Sequence, residues 1–368
     1  MSSIQPPHYS SLQAAQTSSG AVFDTVNGQH VAIRFGNESA ESSTTKLAAA
    51  FKNVALFDRS HCSLLEMRGS ERLDYLHNQT TNNIKSLSPG QGCETCIVSP
   101  TARLIDLVTA YIASDSVLLL ASPSDTSAAL QSLNQLIAFS DAQLTDVGKQ
   151  YSVFSVVGPQ SEHLLHTLGI ALPSISIHSH THLEATDPPL RIASGTGLAI
   201  EGYTLLVPAE TAGPLWTALV EGGAIPCGST IWETLRILQG RPAVGKEISD
   251  EFNPLEAGLW HTASFTKGCY IGQETIARLD TFNGVKQQLW GLKFSSPIPA
   301  GTTIYVGEQR AGIVTSITTQ TVDGCYRGLG YIRTKLGGDG LDILAANTSG
   351  KTIDLPYSTR ERQPTEKD

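Results

Sequence analysis

Between residues 267 and 274 the chain reads Lys-Gly-Cys-Tyr-Ile-Gly-Gln-Glu, with a cysteine between two glycines and two residues after a lysine. Glycines at this spacing break regular structure, because a residue without a Cβ permits positive φ and close approach of backbone to a ligand. The segment Gln273-Glu274-Thr275-Ile276-Ala277-Arg278-Leu279 that follows has helical composition. This order places Cys269 near the unpaired N–H groups of a helix start, with the Lys267 ammonium close by. Both favour thiolate over thiol, the form in which a cysteine is nucleophilic or binds a soft metal. A small apolar cysteine buried in a tight turn satisfies the same residues.

Other clusters carry weaker chemistry. Cys93-Glu94-Thr95-Cys96 is a lone C-x-x-C with no second pair at zinc-site spacing. In a strand its two thiols point to opposite faces, being three apart where the period is two. His178, His180 and His182 could line one strand face as zinc ligands, but the Ser, Thr, Asp and Pro around them read as a surface loop. Six cysteines, unevenly spaced, fit a reducing compartment with free thiols, and a cytoplasmic protein is expected. A net charge of −9 argues against a general nucleic-acid binder, which needs a basic surface. No apolar run approaches the ~20 residues of a membrane span, so no membrane partner is expected.

With 368 residues the chain has room for two or three domains. Residues 1–50 read as a flexible polar leader, rich in Ser and Gln at its start. From 51 to 150, short strands (Leu64–Met67, Cys93–Val98, Leu104–Tyr111, Val117–Ala121) mix with helices at Gly69–Asn78 and Ser124–Ile137. A second such unit spans 151–284. It has strands at Tyr151–Val157, Ile192–Ala193 and Tyr203–Pro208, and helices at Gln160–Leu168, Thr211–Gly222 and Ile231–Gln239, the last with Ser229 or Thr230 as N-cap. Residues 285–357 change to short strands separated by Gly, Pro and Asp-Gly turns, the pattern of a small β-barrel. Residues 358–368 read as a solvated tail. The fold class expected is therefore α+β with a C-terminal barrel.

The octapeptide resembles the K-G-C-Y-x-G-Q-E signature of YgfZ-type folate-binding proteins, the iron–sulfur cluster assembly branch of the superfamily that contains the glycine cleavage T-protein. Leu235–Pro242, Gly245–Glu247, Asn253–Leu259 and Ile276–Arg278 are similar to the sequence flanking that signature, and Met67–Ile84 to the superfamily's opening segment. The resemblance covers about residues 50–340. It implies a three-domain, T-protein-like ring of two ferredoxin-like α+β units and a C-terminal barrel around a folate channel. It also implies tetrahydrofolate as cofactor and iron–sulfur enzymes or assembly proteins as transient partners.

A folate needs an apolar slot for its pterin, convergent polar groups, and cations for its glutamate carboxylates. Within the resemblance, Tyr270 is a stacking candidate, Gln273 and Glu274 can meet amide-like edges, and Lys267 and Arg278 can meet carboxylates. Glu274 and Arg278 equally suit a surface pair at i, i+4, worth ~0.3–0.5 kcal/mol. Asp106 falls where T-proteins carry the acidic segment of their one-carbon transfer; the alternative is a strand-edge carboxylate facing water. Three departures stand out. Thr204, in Gly202-Tyr203-Thr204-Leu205, replaces a glutamate that T-proteins use to hold the pterin. The cysteine signature is foreign to ordinary T-proteins. Ala102 takes the place of a turn glycine. The leading expectation is a tetrahydrofolate-binding accessory factor for iron–sulfur cluster assembly or repair, with Cys269 as its reactive residue. A folate-dependent aminomethyltransferase or demethylase and a folate-sensing adaptor without catalytic activity are the alternatives.

Overall fold

The computed structural model describes residues 8–26, 28–37, 40–123, 128–184, 186 and 189–361. The chain opens with α1 (His8–Ser18), β1 (Ala21–Val26), β2 (Gln29–Phe35), α2 (Ala40–Lys52) and β3 (Ala55–Asp58). A first α+β unit follows with β4 (Leu64–Arg68), α3 (Arg72–Gln79), β5 (Gly92–Val98), β6 (Leu104–Ile112), β7 (Ser116–Leu120), α4 (Ala128–Asn134) and β8 (Gln143–Asp146). Its antiparallel sheet has the order β5-β6-β7-β4-β8. Residues 124–127 of the helix expected from Ser124 lie outside the described residues.

The second unit comprises β9 (Tyr151–Val157), α5 (Ser161–Thr167), β10 (His180–Leu183), β11 (Leu190–Ser194), β12 (Gly202–Pro208), α6 (Ala212–Glu221), β13 (Ile225–Cys227) and α7 (Ser229–Gln239). Its sheet runs β10-β11-β12-β9-β3-β13, with β13 parallel to β3. After α8 (Gln273–Thr281), six strands close into a barrel. They are β14 (Gln287–Phe294), β15 (Thr303–Val306), β16 (Gln309–Ile317), β17 (Tyr326–Arg333), β18 (Asp342–Ala345) and β19 (Thr348–Ile353), in the order β14-β17-β16-β15-β18-β19. The expected α+β class with a C-terminal barrel is the observed one.

The leader expected over 1–50 is corrected: residues 8–26, 28–35 and 40–52 fold onto the second unit. Although polar overall, the segment buries Leu12, Val31, Ala32 and Phe35, and Phe35 stacks on Trp216 with ring centroids 5.5 Å apart. Full burial of side chains this size contributes about 1.5–3 kcal/mol each. Two glycines make the docking close. A Cβ on Gly213 would stand 2.6 Å from the Ser11 carbonyl oxygen, and one on Gly228 would stand 2.1 Å from that of Ile33. Gly228 is also the N-cap of α7, displacing Ser229 and Thr230 from the role expected of them. The solvated tail is likewise corrected at its start. Thr359 donates its backbone N–H to Gly258, and the Arg360 guanidinium lies 3.8 Å from the centre of the Trp290 ring.

The parts are joined by shared apolar cores. Cys96, Val98, Leu104 and Leu107 of the first unit pack with Ile237 of α7 and with Leu289, Leu329 and Tyr331 of the barrel. Phe252, in the segment after α7, stacks on Tyr331 at 3.6 Å. These contacts fix the loops and strand ends around the cavity described next.

Candidate functional site

A cavity of about 400 Å³ lies where β3, β6, β7, β12 and α7 meet. Its wall includes apolar Leu107, Leu120, Ala121 and Val244, the rings of Tyr111 and Trp232, and the hydroxyls of Thr109, Ser122, Ser155, Thr196 and Thr204. Cationic side chains come from the loop after β3 (Arg59), from α7 (Arg236) and from the segment after it (Arg241, Lys246). Such a mixture, apolar and aromatic with a few converging polar groups, is the usual make-up of a small-molecule site.

Asp106 stands behind this wall without lining it, bonded to the backbone of two residues that do. It sits on β6 with 3% of its surface exposed, next to the cavity residue Leu107, and its carboxylate accepts the N–H groups of Leu107 at 2.7 Å and Ser122 at 3.3 Å. The water-facing alternative is thereby excluded. Burial pushes its pKa up from 3.8 to about 6, and those hydrogen bonds offset only part of the rise. Near neutral pH the group can hold or release a proton, the property required of a general acid or base.

Thr204 is buried and donates its hydroxyl to the Gly195 carbonyl at 2.8 Å, so the position that carries a glutamate in T-proteins offers no charge here. Ala102 adopts φ 61° in the turn before β6, as the glycine it replaces would. Its N–H reaches the Ser99 carbonyl at 2.8 Å.

Sequence reasoning missed a buried polar network beside the cavity. Arg241 donates to Glu94 at 2.5 Å, to the Gly197 carbonyl at 2.7 Å and to the Tyr357 hydroxyl at 2.6 Å. Tyr357 donates onward to Glu94 at 2.6 Å, and His261 Nε2 lies 3.3 Å from the same carboxylate. Burial alone would raise the Glu94 pKa, but Arg241 and His261 outweigh it and hold the carboxyl well below 4.5. The network ties both α+β units to the segments before and after the barrel. Its one sequence signal was an acid within an apolar strand, Glu94 between Cys93 and Ile97.

A second missed cluster follows β3. Arg59 donates toward His61 Nε2 at 3.3 Å and Cys62 Sγ at 3.4 Å, and its guanidinium lies 4.1 Å from the centre of the Trp232 ring. Burial, then the neighbouring Arg59 charge, pulls His61 well below 6.5, so its ring is neutral and accepts that hydrogen bond. Burial raises the Cys62 thiol, with Arg59 opposing.

The octapeptide lies elsewhere: none of its residues lines this cavity. Gly272 has φ 80° and is the N-cap of α8, whereas Gly268 stays out of the positive-φ region. Cys269 is exposed with a free thiol, which rules out the buried-turn alternative. Lys267 is turned inward, contrary to its expected contact with carboxylates. Its ammonium donates to the carbonyls of Thr80 and Asn82 at 2.7 Å each and to that of His77, and it lies 4.6 Å from the Tyr270 ring centre. Burial pulls its pKa from 10.5 to about 7. Tyr270 is itself buried, in a cluster with Trp260, Ile276 and Val285. Gln273 is half-buried, and Glu274 and Arg278 are exposed without pairing with each other. Of the seven candidates, none lines the cavity: Asp106 borders it through Leu107 and Ser122, Lys267 and Tyr270 are buried in the segment of the octapeptide, Gln273 is half-buried, and Cys269, Glu274 and Arg278 are exposed.

The remaining sequence clusters hold no metal. Among the described residues no group of three His, Cys, Asp or Glu could hold an ion. His180 and His182 occupy strand β10, where a loop was expected; His180 is buried against Tyr111 while His182 is exposed. Cys93 packs in the first unit's core and Cys96 in the core shared with the barrel, on opposite sheet faces as the strand period requires.

The GCVT N-terminal domain family matches residues 12–267. A chloroplastic protein of Arabidopsis thaliana, carried under a provisional transferase name, is 40% identical over 89% of this chain and 76% of its own length. The aminomethyltransferase of Streptomyces avermitilis is 27% identical over 98% of this chain and 100% of its own. The crystal structure of the glycine cleavage system aminomethyltransferase T from Bartonella henselae superposes with a TM-score of 0.83. It covers 95% of this chain and 98% of its own at 18% identity, a likeness of fold.

Proposed function

The chain belongs to the GCVT N-terminal domain family, whose aminomethyltransferases are folate-dependent, and on that premise we propose that it is a YgfZ-type tetrahydrofolate-binding accessory factor for iron–sulfur cluster assembly or repair. The observation that carries this reading is the separation of two sites. A cavity of folate-sized volume with a proton-handling carboxyl lies inside, and a free, exposed cysteine sits in a braced loop outside.

The cavity residues suit a reduced pterin. Tyr111 and Trp232 offer ring surfaces, Ser122, Ser155 and Thr109 offer hydroxyls for a heterocycle's edges, and the bordering Asp106 carboxyl can donate a hydrogen bond when protonated and take a proton when ionised. A bound tetrahydrofolate would supply a nucleophilic nitrogen able to carry a one-carbon unit. Thr204 in place of an acid supports binding without glycine cleavage. At the exposed cysteine, Lys267 anchors the loop to the last turn of α3, through His77, and to the carbonyls of Thr80 and Asn82 just beyond it, and leaves Cys269 free to meet a partner. One thiolate supplies one cluster ligand, so the remaining ligands come from the client or assembly protein. Six free cysteines suit a reducing compartment, and the cytoplasm is the location proposed. No helix among the described residues is long and apolar enough to cross a membrane.

Titration with tetrahydrofolate, followed through the fluorescence of Trp232 at the cavity wall, tests the inner site. Replacing Cys269 by Ala should leave that titration unchanged and abolish in-cell support of iron–sulfur enzymes; undiminished support refutes the outer role. Burial of Asp106 against the cavity favours a second reading, folate-dependent one-carbon transfer. This predicts donor-dependent formation of methylene- or methyltetrahydrofolate by the purified protein, lost in Asp106→Asn.

A further inference from the structure

The cations around the cavity are not equivalent. Arg236 is neutralised by Glu233 and by Glu247 at 2.7 Å, Arg241 by Glu94 at 2.5 Å, and Lys246 by Glu233 at 2.6 Å. Among the described residues Arg59 has no carboxylate within ion-pair distance, and its neighbours are a neutral imidazole, a thiol and an indole face. The adjacent carboxylate is not available to it. Asp58 accepts the Ser60 N–H at 2.9 Å, the Ser60 hydroxyl at 2.5 Å and the Gln16 amide at 2.8 Å. A partly buried guanidinium that feels the Asp58 charge but has no carboxylate in contact is costly, and an anionic ligand entering the cavity lowers that cost.

The surroundings reinforce the same sign. Ser229, the first residue of the 11-residue helix α7, lines the cavity together with Trp232 one turn later, so the positive end of that helix adds to the Arg59 field. The Trp232 ring centre lies 4.1 Å from the guanidinium carbon, and His61 and Cys62 take one N–H from each terminal nitrogen, which leaves the remaining N–H groups for a partner. Arg is suited to grip such a partner through two parallel hydrogen bonds.

From this geometry we propose that Arg59, with Trp232 and the start of α7, forms a carboxylate-binding subsite of the cavity, which takes the glutamate arm of the folate. The proposal rests on the folate reading above and transfers to Arg59 the task first assigned to Lys267, whose ammonium is spent on backbone carbonyls.

The experiment uses the full chain as wild type, Arg59→Gln and Arg59→Lys, each checked for an unchanged melting transition. Three probes are titrated: tetrahydrofolate, 6-methyltetrahydropterin, which lacks the glutamate arm, and p-aminobenzoylglutamate, which lacks the pterin. A charge-assisted hydrogen bond is worth about 1.5–3 kcal/mol, so Arg59→Gln should weaken tetrahydrofolate and p-aminobenzoylglutamate about 10- to 100-fold. The tail-less pterin should bind unchanged, and Arg59→Lys should fall between the two. Unaltered tetrahydrofolate affinity in Arg59→Gln overturns the subsite and leaves the folate reading standing. Equal weakening of the tail-less pterin also overturns it, by making Arg59 a general support of the cavity. If wild type binds neither pterin, the folate reading fails. Binding of p-aminobenzoylglutamate by wild type but not by Arg59→Gln then still supports the anion subsite, and its absence in both removes that too.

Discussion

Replacing Asp106 by Asn should make the protein more stable at neutral pH while removing the carboxyl that borders the cavity. The native side chain is buried, and its pKa stands at about 6 against an ordinary 3.8. A raised carboxyl pKa means that folding prefers the protonated form. Its contribution is therefore most favourable below pH 3.8, declines as pH rises from there to about 6, and is flat above. The interval corresponds to about 3 kcal/mol at 1.36 kcal/mol for each tenfold change in proton concentration, of which about 2 kcal/mol falls between pH 4 and 7.5. Asn has the same shape and keeps an oxygen for the 2.7 Å bond from the Leu107 N–H, but its amino group cannot accept the longer bond from Ser122. That loss costs about 1 kcal/mol at every pH. Urea unfolding at half-unit steps from pH 4 to 7.5 should show the Asn variant about level with wild type or slightly weaker at the acid end. It should gain about 2 kcal/mol on wild type by the neutral end. A stability difference independent of pH, or one that shrinks as pH rises, would show that burial does not raise the carboxyl's pKa.

Three further outcomes follow from the other sites. A thiol reagent added to the native protein should label Cys269 in one fast phase, because Cys62, Cys96 and Cys227 are buried and Cys93 and Cys325 half-buried; Cys269→Ser should remove that phase and shift stability by less than about 0.5 kcal/mol. Glu94→Ala leaves the Arg241 guanidinium without its carboxylate and should cost about 3–5 kcal/mol in chemical denaturation, far more than the exposed pair Lys351–Asp342, at about 0–1 kcal/mol. Lys267→Met strands three carbonyls around an apolar chain. It should lower stability by about 2 kcal/mol or more and speed hydrogen exchange in the 267–272 loop, detectable by mass spectrometry.

The order of strands and helices from 55 onward was legible because apolar runs there keep the strand or helix period, as in β9, whose bounds Tyr151–Val157 match the expected ones. The short strands β3, β8, β10 and β13 escaped, and so did two further kinds of element. The N-terminal helix and hairpin are polar and hold to the body through a few residues, Leu12 and Phe35 among them, and through glycines far away in sequence, so no local pattern announces them. Strands β18 and β19 are joined by Ala346 and Asn347, both at positive φ, and an alanine there does not advertise a tight turn. At the site, Asp106 was named only through the resemblance to T-proteins, since its residues alone read equally as a strand-edge carboxylate facing water. Arg59 was not named, since its importance arises from what Asp58, Arg241 and Glu94 do with one another, a balance of charges set by tertiary contact. The direction of Lys267 was likewise invisible, because its acceptors are backbone carbonyls at 77–82, and every residue has one.

Strand β3 lies between β9 and β13 in the second sheet, yet residues 64–146 of the first unit separate it from both along the chain. During synthesis, β3 leaves the ribosome roughly ninety residues before β9, and the N-terminal helix and hairpin roughly 180–200 residues before the α6 and α7 surface on which they rest. They must wait, with Phe35 and Leu56 uncovered, while the intervening unit completes its own antiparallel sheet and brings its two ends together. A pause or truncation after residue 150 therefore strands a folded insert tethered to a sticky arm, the kind of species chaperones retain. The inner cavity, which draws on both sides of that late docking, forms only when the arm has closed.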